Sequence, residues 1–446
     1  MDKRTSETLR NTDLDSILSE AEQRFTAANP ASLARHRLAG QSLPGGNTRG
    51  VLFYQPFPVT LVGGDGCHVT DLDGHTYVDL VSEYSAGLYG HSDKRIAAAF
   101  AEAISGGTAL GAPNTYEARY AAAIVERFPA IERVRFCNSG TEANIMAIQA
   151  ARAITGRSKV MVFREGYHGG VLTFAHGGSP LNLPFDYVFA DYNDITGTDA
   201  LIREHGPDLA VVLLEQMMGA GGCIPATREF LLSLRMTTQD VGALLVFDEV
   251  MTSRLHYHAL HGAHGINPDL VTLGKYLGGG ASFGAFGGRA DLMDRFDPAS
   301  PKGFSHGGTF NNNILSMTAG FVGFTEVLTE EASNRVNEVG DKLRTSMNEC
   351  LQRHAVQGLV TGRGSLMNLH FVAGPVTSPE VLDSADLRVI RLWQMEMLLR
   401  GFHVTPRGML ALSLPFGETQ ARDFVEAFDD FLAMHRQILP QRANVS

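Results

Sequence analysis

The chain has 446 residues, with 37 Lys plus Arg against 48 Asp plus Glu and a formal charge of −11, which argues against nucleic acid or an anionic membrane surface as its main partner. At 44% hydrophobic content it can bury a real core, as one large domain plus a smaller one or as two medium ones. Cys67, Cys137, Cys223 and Cys350 are too widely spaced for a metal-ligand pair or a disulfide framework, and point to a reducing compartment.

The opening stretch, residues 1–16, is polar and lacks the apolar core of a signal peptide, and no apolar run is long enough to span a bilayer. A cytoplasmic protein is expected. Leu14 to Ala28 reads as a helix with Leu14, Ile17, Leu18, Ala21 and Phe25 on one face. After Pro30 a turn-rich segment follows, with Gly45, Gly46 and Asn47 and the cation Arg49. Val59 to Asp79 reads as a hairpin pair turning at Asp65-Gly66 and Asp73-Gly74.

From about Asp93, helices and buried strands alternate. Helices are expected at Ile96 to Ile104, Tyr116 to Phe128 and Ala143 to Ile154. Unalternating apolar runs at Val134 to Cys137, Val160 to Phe163, Tyr187 to Phe189, Ala210 to Leu214, Ala243 to Phe247 and Leu270 to Leu273 read as strands covered on both faces. The alternation predicts a mostly parallel, doubly wound α/β sheet. Beyond it, helices from Met317 to about Leu328, Ala332 to Arg353, Asp386 to Arg400 and Thr419 to Met434, with strands near Leu366 to Val372 and Leu410 to Leu414, suggest a compact α+β terminal domain.

Four features carry chemistry. In Asn138-Ser139-Gly140-Thr141-Glu142, Ser139 can cap a helix and Glu142 can close a capping box, but Ser139, Gly140 and Thr141 at a helix start also suit a phosphate. Lys275 lies in Gly274-Lys275-Tyr276, where Asp269 and Tyr276 occupy positions at which a nucleotide P-loop needs Gly and Ser or Thr. A lysine at a strand end facing a crevice suits a Schiff base instead, and a solvated lysine is the plain alternative. Asp248 ends an apolar run, so it is expected to be semi-buried and to want a cationic partner such as a protonated ring nitrogen. Gly166-Tyr167-His168-Gly169-Gly170 offers Tyr167 as a stacking surface. His256, His258, His261 and His264 lack accompanying ligands in metal spacing, so a solvated or interface loop and no metal are expected.

The segments FCNSGTEANIMAIQAAR, GYHGG, LLEQMMGAGGCIPA, LLVFDEVMTSR, DLVTLGKYLGGGASFGAFGGR and HGGTFNNNILSMTAG together resemble the class III aminotransferases, pyridoxal-phosphate enzymes of fold type I, from about Arg24 to Leu439. Within that class the chain is similar to the glutamate-1-semialdehyde aminomutase branch and to β-amino-acid aminotransferases, through NTRGVLFYQPFP, EYSAGLYGHS, DEVMTSRL, GTFNNN and TPRGMLALSLP. The resemblance implies a large domain, 86–325, with a mostly parallel seven-stranded sheet, a small α+β domain, 326–446, and an N-terminal segment, 1–85, contributing to the small one. It implies pyridoxal 5′-phosphate as cofactor, with Lys275 as its Schiff-base lysine and proton carrier. Asp248 would sit on the ring nitrogen, Tyr167 and Val250 on the two ring faces, and His168 and Glu215 close by. Ser139, Gly140 and Thr141 would hold the phosphate, and Thr309 would reach the phosphate of the neighbouring subunit in a homodimer. Arg49 and Arg407 match the arginines that bind the carboxylates of amino donor and keto-acid acceptor, with Tyr84, Tyr89 and Met218 as pocket walls. Gln216 departs from the family's usual proline. The expected activity is transfer of the amino group of a β-amino acid to 2-oxoglutarate or pyruvate. A glutamate-semialdehyde-type aminomutase, a transaminase for another amine, or a non-catalytic relative are the alternatives.

Overall fold

The computed structural model describes residues 13–442. Residues 1–12, most of the stretch read for a signal peptide, lie outside the described part. Asp13 caps α1 (Leu14–Ala28) by accepting from Ser16 N at 3.1 Å, and Leu18, Ala21 and Phe25 are buried along one face. The turns expected after Pro30 begin later, because Pro30 opens a second helix, α2 (Pro30–Ala39). Only Ser32 is buried on it, so no apolar stripe announces it. β1 (Leu61–Asp65), β2 (His68–Asp71) and β3 (Thr76–Asp79) form the expected antiparallel hairpins.

The main layer then runs α3 (Lys94–Gly106), α4 (Thr115–Arg127), β4 (Arg133–Cys137), α5 (Gly140–Thr155), β5 (Lys159–Phe163), β6 (Asp186–Ala190), α6 (Ile195–His205) and β7 (Leu209–Glu215). A two-residue hairpin follows, β8 (Met217–Met218) and β9 (Ile224–Pro225). Next come α7 (Arg228–Val241), β10 (Leu244–Asp248), α8 (Ala259–His264), β11 (Leu270–Gly274), β12 (Gly284–Gly288) and α9 (Ala290–Met293). The remainder is α10 (Ile314–Val322), α11 (Glu330–Arg353), β13 (Leu359–Arg363), β14 (Leu366–His370), α12 (Leu387–Leu399), β15 (Phe402–His403), β16 (Met409–Ala411) and α13 (Glu418–His435).

Seven strands pair in the order β4-β12-β11-β10-β7-β5-β6. All run parallel except β12, which is antiparallel to both of its neighbours. This is the mostly parallel, seven-stranded α/β sheet that the motifs implied. β12 was not expected, because GAFGG has three glycines and little β-forming content. Every residue of β7, β10 and β11 is buried. Such central apolar side chains each contribute about 1.5–3 kcal/mol. Near the C-terminus β13, β14 and β16 form a three-stranded antiparallel sheet, while β15 returns to pair in parallel with β3, joining His403 to Asp79 in register.

Candidate active site

Because β4, β5, β7, β10 and β11 point the same way, their carboxyl ends open on one edge of the sheet, where α/β folds place ligands. Ser139 follows β4, the Gly166–Gly170 loop follows β5, Glu215 ends β7, Asp248 ends β10 and Lys275 follows β11. A cavity of about 1220 Å³ lies there, its wall including Arg49, Tyr84, Ser139, Gly140 and Lys275.

The Lys275 amine donates to the Tyr84 carbonyl at 2.8 Å and to Ser85 Oγ at 2.9 Å. These acceptors are neutral, and no carboxylate lies within ion-pair distance of it among the described residues. Burial lowers its proton affinity to about 8, Arg254 and Arg49 assisting, while the negative charges of Glu215 and Asp248 oppose. An amine poised there is partly unprotonated near neutral pH and can act as a nucleophile or a base.

Asp248 is more deeply buried than its sequence suggested, at 4% exposed. One carboxylate oxygen accepts from His168 Nδ1 at 2.7 Å and Asn144 Nδ2 at 2.8 Å, and the other from Val250 N at 3.0 Å. Each oxygen keeps capacity to accept from a further donor. His168 was expected to touch the cofactor, but its side chain is 1% exposed and its imidazole is engaged by Asp248, so it orients that carboxylate from behind. Asn144 escaped notice in the sequence. It accepts from Thr272 Oγ1 at 2.7 Å, and its signal was a polar residue among the buried Ala143, Ala147 and Ile148 of α5.

Ser139 caps α5, which begins three residues earlier than expected, by accepting from Glu142 N at 3.1 Å. Glu142 reaches back to Asn138 N at 2.8 Å, one residue before the position a capping box would use. The Gly140 and Thr141 N–H groups therefore have no partner among the described residues, and they lie at the positive end of a long helix. A Cβ at Gly140 would stand 2.7 Å from both Val250 methyl groups. Gly169 has φ +128° and a Cβ there would stand 2.2 Å from Thr141 Oγ1, so glycine lets the Gly166–Gly170 loop pack on the start of α5. Tyr167 is 47% exposed, with its ring free to stack.

Glu215 accepts from Gly219 N at 3.1 Å and Tyr167 N at 3.3 Å. Burial raises its carboxyl well above the usual range; the neighbouring His168 opposes this and the Asp248 charge adds to it. The Gln216 carbonyl accepts from Ala226 N at 2.9 Å, so the loop closes as a hairpin without the usual proline.

Arg49 pairs with Glu83 and lies 5.8 Å above the Tyr84 ring, whose hydroxyl donates to the Val51 carbonyl at 2.7 Å. Arg407 is exposed and makes no ion pair among the described residues. Burial raises the Tyr84 hydroxyl's pKa, and the charges of Arg407 and Arg49 both oppose that rise. Met218 is not a cavity wall: at 1% exposed it packs in the core with Phe163, Tyr192 and Leu214. Tyr89 does border the cavity, with its ring packed edge-on against Tyr276. Thr309 is exposed and is not among the residues lining the Lys275 cavity. Of the histidine run, expected as a solvated or interface loop, His258 is exposed and His256 and His264 are half-buried, whereas His261 on α8 is fully buried and donates through Nδ1 to Glu249 at 2.6 Å. No metal-ligand cluster occurs among the described residues.

The set comprises an amine, a buried carboxylate with a free lone pair and an open helix N-terminus. It fits a ligand with an electrophilic carbonyl, a basic ring nitrogen and a phosphate. The sequence profile of the class-III aminotransferases matches residues 53–390. A β-phenylalanine transaminase from Variovorax paradoxus is 49% identical over 431 residues, covering 97% of this chain and 99% of that protein. The solved structure of a β-phenylalanine aminotransferase from the same organism superposes with a TM-score of 0.95 at 48% identity, over 97% of this chain and all of that one (100%). A transaminase solved with pyridoxal phosphate bound superposes with a TM-score of 0.85 at 31% identity, over 92% and 98% of the two chains. A glutamate-1-semialdehyde 2,1-aminomutase from Macrococcus caseolyticus is 33% identical over 395 residues, covering 84% of this chain and 92% of that protein.

Proposed function

From the premise that this chain belongs to the class-III aminotransferases and uses pyridoxal 5′-phosphate, we propose that it moves the amino group of a β-amino acid, an aromatic one included, to 2-oxoglutarate or pyruvate. The donor carbon becomes a carbonyl as the acceptor's carbonyl carbon gains the amine, so the exchange needs no external oxidant or reductant. It proceeds in two alternating halves through one pocket. The observation that carries the proposal is the Lys275 amine, held by neutral oxygens in a cavity it shares with Arg49, Tyr84 and the start of α5.

The cofactor, when bound, supplies an electron-withdrawing ring that stabilises the negative charge left when the substrate carbon loses a proton. Lys275 would hold it covalently and, once released, carry that proton. Asp248, aimed by His168 and Asn144, would accept from the ring nitrogen. Ser139, Gly140 and Thr141 would hold the phosphate, Tyr167 and Val250 would pack on the ring, and Glu215 would stand near it. Thr309, on the surface of one chain, serves the phosphate of a second copy in a homodimer.

Arg49 and Arg407 take the carboxylates of donor and acceptor in turn. The Arg49–Glu83 pair is part-exposed on both sides, so it contributes little and a substrate carboxylate can replace Glu83. Incubation with β-phenylalanine and 2-oxoglutarate should yield glutamate. No amino transfer from any β-amino acid would refute the proposal, and turnover of glutamate-semialdehyde without a keto acid would favour the aminomutase reading instead.

A further inference from the structure

Arg254 is among the largest fully buried side chains, at 1% exposed, and no carboxylate lies within ion-pair distance of it among the described residues. Its guanidinium meets neutral oxygens only. Nε donates to Ser365 Oγ at 3.3 Å, one terminal nitrogen to the Ser85 carbonyl at 3.1 Å, and the other to the Leu412 carbonyl. Burial holds its proton affinity down to about 9, opposed by Tyr276 and Tyr89. An unpaired buried cation is among the costliest groups a fold can carry, so its retention calls for a task.

The Ser85 carbonyl ends a turn of uncommon conformation. Ser82, Glu83, Tyr84 and Ser85 have φ of 42°, 50°, 53° and 77°, four successive non-glycine residues in the left-handed region. Such a run persists only where its surroundings over-determine it. At its start, Asp79 accepts from Val81 N at 2.9 Å and Ser82 N at 3.2 Å, and is itself held by His91 and His403. At its end stands Arg254. What the turn presents to the cavity is the Tyr84 carbonyl and Ser85 Oγ, the two acceptors of the Lys275 amine.

We propose that Arg254 is a positioning residue: through the Ser85 carbonyl it locks the left-handed turn, and the turn offers Tyr84 O and Ser85 Oγ as the dock to which the free Lys275 amine returns. The proposal rests on Lys275 being the residue that carries the cofactor. Its other anchors, Ser365 and Leu412, border β14 and β16, so Arg254 also ties the dock to the C-terminal sheet. The charged groups facing Lys275 are Glu215, Asp248, Arg49 and Arg254 itself, and the positive charge of Arg254 disfavours a second cation on the amine.

Borohydride reduction of the holoenzyme and peptide mapping come first. A label on another lysine would overturn the assignment of Lys275 and this proposal with it. With the label on Lys275, the pH midpoint for acylation of its amine is measured by mass spectrometry in the cofactor-stripped full chain, for wild type, Ser85→Ala, Arg254→Met and Arg254→Lys. Loss of an acceptor in Ser85→Ala should lower the midpoint, and loss of the cation in Arg254→Met should raise it, each by about half a unit or more. Arg254→Lys should keep the midpoint near wild type yet lower kcat of the holoenzyme with little change in KM, because an ammonium cannot hold three divergent oxygens in place. If the Arg254 variants do not fold, Ser365→Ala, which removes the hydroxyl that Arg254 Nε donates to, replaces them: a lower kcat with little change in KM supports the proposal, and unchanged kcat with unchanged midpoint overturns it. Unchanged midpoints with only a lower thermal midpoint would overturn the proposal while leaving Lys275 its role.

Discussion

Asp248 and Glu215 are Cα partners at the ends of adjacent parallel strands, and their carboxylates are met by different donors. Asp248 takes the His168 imidazole and the Asn144 amide, whereas Glu215 takes the backbone N–H groups of Gly219 and Tyr167. Burial raises Glu215 towards its neutral form, the nearby Asp248 adding to the shift and His168 opposing it. Two carboxyl groups side by side are thus set up for different tasks.

The first expected outcome follows from that contrast. With Asp248 in the proposed role on the ring nitrogen, Asp248→Asn removes the supporting charge, and kcat should fall roughly 100-fold or more with the fold intact. Glu215→Gln keeps a neutral acceptor in place and should cost only about fivefold, close to one ordinary hydrogen bond. Steady-state kinetics beside thermal unfolding of both variants would check the pair.

Arginine at 49 and 407 offers a planar, two-pronged fork for a carboxylate. Arg49→Lys and Arg407→Ala should each lower kcat/KM for at least one substrate by about 10-fold to 100-fold, mostly through KM. Initial rates with donor and acceptor varied separately would show which arginine serves which carboxylate.

Packing at the start of α5, the proposed phosphate cradle, makes a coupled pair. Gly140→Ala places a methyl group 2.7 Å from the Val250 methyls, and this overpacking should cost about 1–3 kcal/mol and weaken cofactor binding. Adding Val250→Ala should restore part of the stability. Unfolding midpoints of the two single variants and the double variant measure the coupling.

The Lys275 amine gives a pH dependence. Its proton affinity is lowered from 10.5 to about 8, so cofactor recapture by the stripped chain should quicken as pH rises through about 8. For stability the sign is set by proton counts. Between about 8 and 10.5 the unfolded chain holds the proton that the folded chain has released, so this group's contribution to stability grows as pH rises across that window. Recapture rates from pH 6 to 10, followed by absorbance, would test the first statement.

The parallel strands were readable because their apolar runs are short and unbroken, and the central ones, β7, β10 and β11, are buried on both faces. The turn Asp73-Gly74 and the helices of α1, α11 and α13 were readable from residue chemistry and spacing. β12 was not, since its glycines carry no strand signal. Asp248 and Lys275 stand at strand ends and could be found by position. The residues that aim them could not. Asn144 lies 104 residues from Asp248, and Arg254 lies 169 residues from Ser85, so their roles arise only when the chain crosses itself. Met218 illustrates the converse error, because an apolar residue near a motif is as readily core as pocket, and only its burial against Phe163 and Tyr192 tells which.

The most direct measurement gives the enzyme excess β-phenylalanine with no keto acid and counts the keto product per active site. One equivalent should form and then stop, and adding 2-oxoglutarate should release one equivalent of glutamate and restart turnover, with neither product forming at a comparable rate in Lys275→Ala. Continuous product without an acceptor, no product at all, or full activity in Lys275→Ala would contradict amino transfer through Lys275.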